Sequence, residues 1–128
     1  MARRVVITGG ASGLGREMAQ KFLSQGDRVA ICDVSRVNIE ALKQERPEIL
    51  GVQCDVTDEL QMQEFFDQVQ TEFGGVDSFL SNAGTGGPAG LLETIEFYEW
   101  RDCVSVNLDG AFLSCRWAGQ QMLSLIHI

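Results

Sequence analysis

This chain is short of the residues from which metal centres and membrane spans are built. It has a single His, His127, and its four cysteines, Cys32, Cys54, Cys103 and Cys115, show no C-x-x-C spacing. Both facts exclude the familiar zinc patterns, and no metal ligands are expected. Unpaired thiols point instead to a reducing, cytoplasmic setting. No apolar run is long enough to cross a bilayer, and Met1-Ala2-Arg3-Arg4 leads straight into a strand-like run without the apolar core of a secretory signal. Positive charge is also scarce. A net charge of −8 argues against nucleic acid and anionic membranes as partners. Internal repeats, low-complexity tracts and linkers are absent, and 128 residues suit one domain with a real core.

What is present is a repeated alternation of strand-like and helix-like segments. Residues 3–8 read as a strand, and their near-continuous apolar character suits a strand covered on both faces. Residues 13–25 read as a helix with Leu14, Met18 and Phe22 on one face, flanked by Ala19 and Leu23, and Gly26 as its stop. A second strand, Val29-Ala30-Ile31-Cys32, ends at Asp33, and a second helix covers about 36–46 before Pro47. A third strand spans 49–54. Thr57 or Asp58 caps a third helix to about residue 73, with Met62, Phe65, Phe66, Val69 and Phe73 inward. A fourth strand spans 76–81, a glycine-rich loop covers Thr85–Gly90, and helical character resumes near Glu93. On the last helix Val104, Leu108, Ala111, Cys115 and Ala118 form one apolar stripe, with Asn107 beside it. The alternation predicts an α/β fold with parallel strands and right-handed crossovers.

Thr8-Gly9-Gly10-Ala11-Ser12-Gly13-Leu14-Gly15 joins the first strand to the first helix. Glycines there permit backbone angles and close approaches that a Cβ forbids. They also leave N–H groups at a helix N-terminus free to face a pyrophosphate. Asp33 follows 24 positions after Gly9, about where a dinucleotide-binding βαβ unit carries its ribose acid. A carboxylate there accepts hydrogen bonds from ribose hydroxyls and repels a 2′-phosphate, favouring NAD over NADP. Arg36 could soften that preference by pairing with a phosphate, and Asp33 could instead simply cap the helix that starts near Arg36. A P-loop is excluded, because Arg16-Glu17 follows Gly15 where Lys and Ser or Thr are needed.

Together these residues resemble the short-chain dehydrogenase/reductase family. The T-G-x-x-x-G-x-G turn is Thr8, Gly9, Gly13 and Gly15; Asp55-Val56 matches the adenine-contacting pair; Asn82-Ala83-Gly84 matches the N-A-G motif, with Ser81 in place of a second Asn; and Asn107 matches the Asn of the following helix. The resemblance covers residues 3 to 122 and implies a Rossmann-type, doubly wound parallel sheet with strand order 3-2-1-4, truncated after about four strands. It further implies that backbone around Ser12, Gly13 and Leu14 holds a pyrophosphate, that Asp33 holds the adenosine ribose and that Asp55 and Val56 hold the adenine edge. Asn82, Ala83 and Gly84 would hold the nicotinamide-side ribose, and Asn107 would support a water in the catalytic proton relay. The implied function is hydride transfer between a nicotinamide cofactor, NAD rather than NADP, and a secondary alcohol or ketone, in a homo-oligomeric parent protein.

The family's chemistry also needs a Ser and a Tyr-x-x-x-Lys pair, in which the Lys lowers the phenol pKa so that it can exchange a proton with the substrate. The only Tyr is Tyr98, with Asp102 four residues later, and the only lysines are Lys21 and Lys43. Residues 1–122 are therefore expected to be the N-terminal part of one cofactor-binding domain. Residues 123–128, Leu-Ser-Leu-Ile-His-Ile, are expected to be non-native: one codon choice, CTG TCT CTT ATA CAC ATC, resembles the end of a transposase adapter used in sequencing libraries. Such residues are left out of fold reasoning. A regulatory or pseudoenzyme module that binds nucleotide without catalysis is the alternative reading. An epimerase or dehydratase of the extended family is a third, although its glycine spacing differs.

Overall fold

The computed structural model describes residues 2–126, so His127 and Ile128 of the suspected tail lie outside the described residues. Four strands, β1 (Arg4–Thr8), β2 (Arg28–Asp33), β3 (Leu50–Gln53) and β4 (Ser78–Leu80), form one parallel sheet in the order β3-β2-β1-β4. This is the doubly wound α/β arrangement expected from the sequence. Val5 pairs with Val29 and Ser78, and Val6 with Ala30 and Phe79, so β1 is the central strand. Strands β3 and β4 are shorter than their apolar runs suggested.

The continuous apolar runs are explained by two cores, one on each face of the sheet. Val5, Ile7, Val29 and Ile31 point to one side, where α1 (Gly13–Ser24) brings Ala19 and Leu23, and α2 (Arg36–Glu45) brings Ile39 and Leu42. Val6, Ala30 and Cys32 point to the other side, onto Met62, Phe65, Phe66 and Val69 of α3 (Glu59–Phe73) and Trp117 of α5 (Gly110–Ile126). Trp117 stacks on Phe66 with ring centroids 4.3 Å apart. Alternate strand residues thus face opposite layers, as the period of two requires.

Helix boundaries follow local chemistry. Ser35 caps α2 by accepting from the Asn38 N–H at 3.2 Å, and Asp58, rather than Thr57, caps α3 by accepting from the Gln61 N–H at 3.0 Å. Helix α3 ends at Gly74 with φ +74°, a left-handed cap that suits glycine.

Two sequence expectations are corrected. Leu14 is not on the buried face of α1: it is 69% exposed, because α1 begins at Gly13 and its first turn projects beyond the end of the sheet. The stripe Val104–Leu108–Ala111–Cys115–Ala118 is not one buried face either. Between α4 (Phe97–Val104) and α5, residues Ser105–Asp109 form a π-helical turn. That wider turn shifts every later residue around the axis. The buried face becomes Gly110, Ser114, Trp117 and Ala118, while Leu108 and Cys115 are exposed.

At the opposite end of the sheet from the glycine turn, Arg4 fastens three elements. Its guanidinium pairs with Asp77 at 3.0 Å and its backbone N–H donates to the same carboxylate at 2.8 Å, while Nη1 reaches the Phe73 carbonyl at 3.4 Å. Hydrogen bonds from the Arg4 side chain and backbone hold the Asp77 carboxyl at about 2. Its folded value lies below the unfolded value of about 3.9, so the pair contributes above that pH and is lost as pH falls toward 2. Asp77 is partly exposed, and Asp77→Asn should therefore cost only ~0.5–1 kcal/mol at pH 7. Denaturant titrations should find the gap between variant and parent closing as pH drops from about 4 to 2; a gap that is constant with pH would contradict the assignment.

Candidate functional site

The strand order reverses beside β1, whose chain leaves to β2 on one side while β4 lies on the other. Ligand crevices of open α/β sheets form outside the carboxyl ends of the strands at such a point. A cleft of about 450 Å3 lies there, within the range of about 300–1,000 Å3 usual for small-molecule sites.

Its walls come from the ends of all four strands. The glycine turn supplies Gly9, Ser12 and Leu14; β2 supplies Asp33 and Val34; the segment after β3 supplies Cys54, Asp55 and Val56; the segment after β4 supplies Asn82, Ala83, Gly84 and Thr85; and Val106 of the π-helical turn completes it. Of the residues singled out in the sequence, Gly9, Ser12, Leu14, Asp33, Asp55, Val56, Asn82, Ala83 and Gly84 meet on this cleft. Gly13, Gly15 and Asn107 are not among its lining residues: Gly13 faces open space, Gly15 packs against the Gly9 carbonyl and Asn82, and Asn107 bonds to Thr85. Val34, Cys54, Thr85 and Val106 were not assigned to the site, although Thr85 opens the glycine-rich loop whose composition fits a segment near a ligand. Each is the immediate neighbour of a motif residue, Asp33, Asp55, Gly84 or Asn107, so adjacency was the signal available for all four.

The glycine turn is shaped by close approaches. Gly9 has φ +64°, and a Cβ there would stand 3.0 Å from Ala83 Cα. A Cβ on Gly15 would stand 2.2 Å from the Gly9 carbonyl oxygen and 2.6 Å from Asn82 Nδ2. Gly13 has φ +54° but meets open space. Ser12 precedes α1 with extended backbone and no side-chain cap, and no acidic residue sits in the first turn. The positive end of α1 is therefore free of competing groups, as an anion requires.

Asp33 receives two backbone donors. Its Oδ1 accepts from the Ser35 N–H at 3.0 Å and its Oδ2 from the Ala11 N–H at 3.1 Å. It thereby ties the end of β2 to the glycine turn, and each carboxylate oxygen keeps a lone pair for a further donor. Beneath it, Cys32 and Cys54 are both buried. The Cys32 thiol is pushed well up by the neighbouring Cys54 thiol and by burial, so it is held neutral.

On the other wall, Thr8 Oγ1 accepts from the N–H groups of Asn82 at 3.0 Å and Ala83 at 3.1 Å. Asn82 Nδ2 donates to the carbonyls of Thr8 and Gly9, each at 3.2 Å. Asn107 Oδ1 accepts from the Thr85 N–H at 3.1 Å, and its Nδ2 donates to the carbonyls of Thr85 and Cys103, each at 2.9 Å. Its amide thus bonds both to its own helix and to the loop after β4. Among the described residues no group of three or more His, Cys, Asp or Glu is placed to hold a metal ion, and no helix is long and apolar enough to cross a membrane.

Comparison with known proteins identifies the family and the fold. The family model described as short chain dehydrogenase matches residues 3–126. Levodione reductase of Leifsonia aquatica is 38% identical over 117 residues, covering 87% of this chain and 44% of the relative. D-threitol dehydrogenase of Mycolicibacterium smegmatis is 34% identical over 122 residues, covering 92% of this chain and 46% of the relative. The chain therefore spans about half the length of the curated relatives it matches. Among solved structures, levodione reductase superposes with a TM-score of 0.87 at 35% identity, covering 94% of this chain and 49% of that one. A 3-ketoacyl-(acyl-carrier-protein) reductase from Brucella melitensis complexed with NADH superposes with a TM-score of 0.88 at 30% identity, covering 93% and 50%.

The two kinds of glycine should separate on substitution. Gly13→Ala meets no atoms and should cost only the left-handed strain, about 1–2 kcal/mol. Gly15→Ala drives a Cβ into backbone and into a bonded Asn82, and should cost clearly more or prevent folding. Chemical denaturation of both variants checks the order, and equal losses would refute it.

Proposed function

The chain belongs to the short chain dehydrogenase family, and from that premise we propose that it forms the cofactor-binding half of an NAD-dependent oxidoreductase. The substrate class would be a secondary alcohol or its ketone. The observation that carries the reading is Asp33, a carboxylate on the cleft wall bonded directly to the turn that bears the anion site.

The residues present fit a dinucleotide. Backbone N–H groups of Ser12, Gly13 and Leu14 would meet the pyrophosphate at the open end of α1. Asp33 would accept from the adenosine ribose hydroxyls and oppose a 2′-phosphate, and Asp55 and Val56 would border the adenine. Asn82, Ala83 and Gly84 would line the nicotinamide-side ribose, with the Asn82 side chain already committed to the glycine turn. Asn107 would act behind them, holding Thr85 and, on the family pattern, supporting a proton-relay water. When bound, the nicotinamide supplies the hydride chemistry. The protein's part is to bind and orient it and to hold a proton donor near the reacting oxygen.

No residue of this chain is assigned that last role. Tyr98 is 65% exposed on α4, while Lys21 and Lys43 lie on α1 and α2. The proton-exchanging residues would lie in the part of the relatives' length that this chain does not span. Reading the source locus past Met122 for Ser and Tyr-x-x-x-Lys tests this.

Two outcomes are expected of the chain itself. It should bind NADH more tightly than NADPH, and Asp33→Ala should lower NADH affinity by ~1.5–3 kcal/mol while narrowing that gap. Fluorescence titration checks both, and tighter binding of NADPH by the unmodified chain would contradict the Asp33 assignment. The chain should also show no turnover with NAD and a panel of secondary alcohols; measurable turnover would mean that a residue present here performs the proton transfer.

A further inference from the structure

We propose that Thr57 is a positioning residue that sets, through Asp55, which nucleobase the cleft accepts. The proposal rests on the dinucleotide reading above and adds a selectivity that the motif residues alone do not carry.

Asp55 lines the cleft just after β3, and its carboxylate is held asymmetrically. Thr57 donates to Oδ1 twice, from its N–H at 2.9 Å and its hydroxyl at 2.7 Å. No hydrogen bond reaches Oδ2 from any other described residue. The Asp55 backbone is pinned as well, its N–H donating to Gln61 Oε1 at 2.9 Å. Gln61 is fixed in turn by Asp58, whose Oδ2 accepts from Gln61 Nε2 at 3.2 Å while its Oδ1 caps α3. Asp55 and Thr57 are both half-buried, so these bonds are partly shielded from competing water.

The chemical consequence is direction. An unrestrained carboxylate can rotate and offer either oxygen with equal ease. Here two donors claim one oxygen, which leaves the other as the acceptor available to a ligand. Adenine carries an exocyclic amine, a donor that suits this oxygen. Hypoxanthine carries a carbonyl oxygen at the same ring position, which a fixed anionic acceptor repels. Thr57 need not touch the base to determine the outcome.

The test compares binding of NADH and of its hypoxanthine analogue to the whole chain by fluorescence titration. The unmodified chain should prefer NADH by about tenfold. Thr57→Ser keeps both donors and should keep the preference. Thr57→Val loses the hydroxyl and should reduce the preference several-fold, with much less change in binding of ADP-free nicotinamide mononucleotide. Asp55→Asn gives the sharpest reading. The Thr57 donors demand an oxygen at the inner position, so the amide nitrogen turns outward and the preference should invert toward hypoxanthine. In the Asp55→Asn, Thr57→Val double variant the inversion should shrink.

Should Thr57→Val fail to fold, Asp55→Asn alone still decides. Loss of both ligands without inversion overturns the proposal, as does a folded Thr57→Val variant with an unchanged preference. Absence of NADH binding by the unmodified chain would instead remove the dinucleotide reading, and this proposal with it.

Discussion

The whole site hangs on one buried hydroxyl. Thr8 ends β1 and is 1% exposed, and its Oγ1 receives the N–H groups of Asn82 and Ala83 just where β4 has ended. Parallel strands that stop pairing leave backbone donors without partners, and an unsatisfied buried donor costs about 1–3 kcal/mol. One side-chain oxygen settles two of them and fixes the distance between the glycine turn and the segment after β4. The Asn82 amide returns the favour by covering the carbonyls of Thr8 and Gly9. The crevice is therefore the gap left when two strands part and are then held at a set separation by side chains.

That constraint explains the turn's composition more fully than backbone freedom does. Gly15 is a glycine with ordinary helical geometry, and what excludes a side chain there is the Gly9 carbonyl and the Asn82 amide. Gly13 is the reverse case, with a left-handed backbone and nothing nearby. Gly84 is a third case, since a Cβ would stand 2.7 Å from Asn107 Oδ1, a side-chain atom, and no closer than 3.9 Å to backbone. Close packing against the Gly9 backbone and the Asn82 amide, rather than flexibility, selects glycine at Gly15.

Much of this was legible in the sequence because it depends on short-range chemistry. Val5 to Ile7 and Val29 to Ile31 are apolar at every position because both sheet faces are covered, and that pattern alone identifies buried parallel strands. The spacing from the glycine turn singled out Asp33, and Asp33 lines the cleft. What was not legible depended on geometry that periodicity assumes away. The π-helical turn at Ser105–Asp109 breaks the 3.6-residue count, so Leu108 and Cys115 lie outside the buried face while Ser114 and Trp117 lie within it. Leu14 fits the helical pattern of α1, but its turn has no sheet beneath it. Thr57 read as a possible cap for α3; Asp58 took that role, and only the hydrogen bonds reveal what Thr57 holds instead.

The aromatic stack between the layers gives the molecule an optical asymmetry. Trp117 is buried flat against Phe66, with Phe79 edge-on at 6.1 Å, whereas Trp100 is exposed on α4. An indole shielded from water emits at shorter wavelength than one in contact with it, so the two tryptophans form separable emitters within one chain. Undocking of α5 from α3 would move only the blue component toward the red. The seam between those helices thus carries its own built-in spectroscopic label, with Trp100 as an internal reference that stays in water throughout.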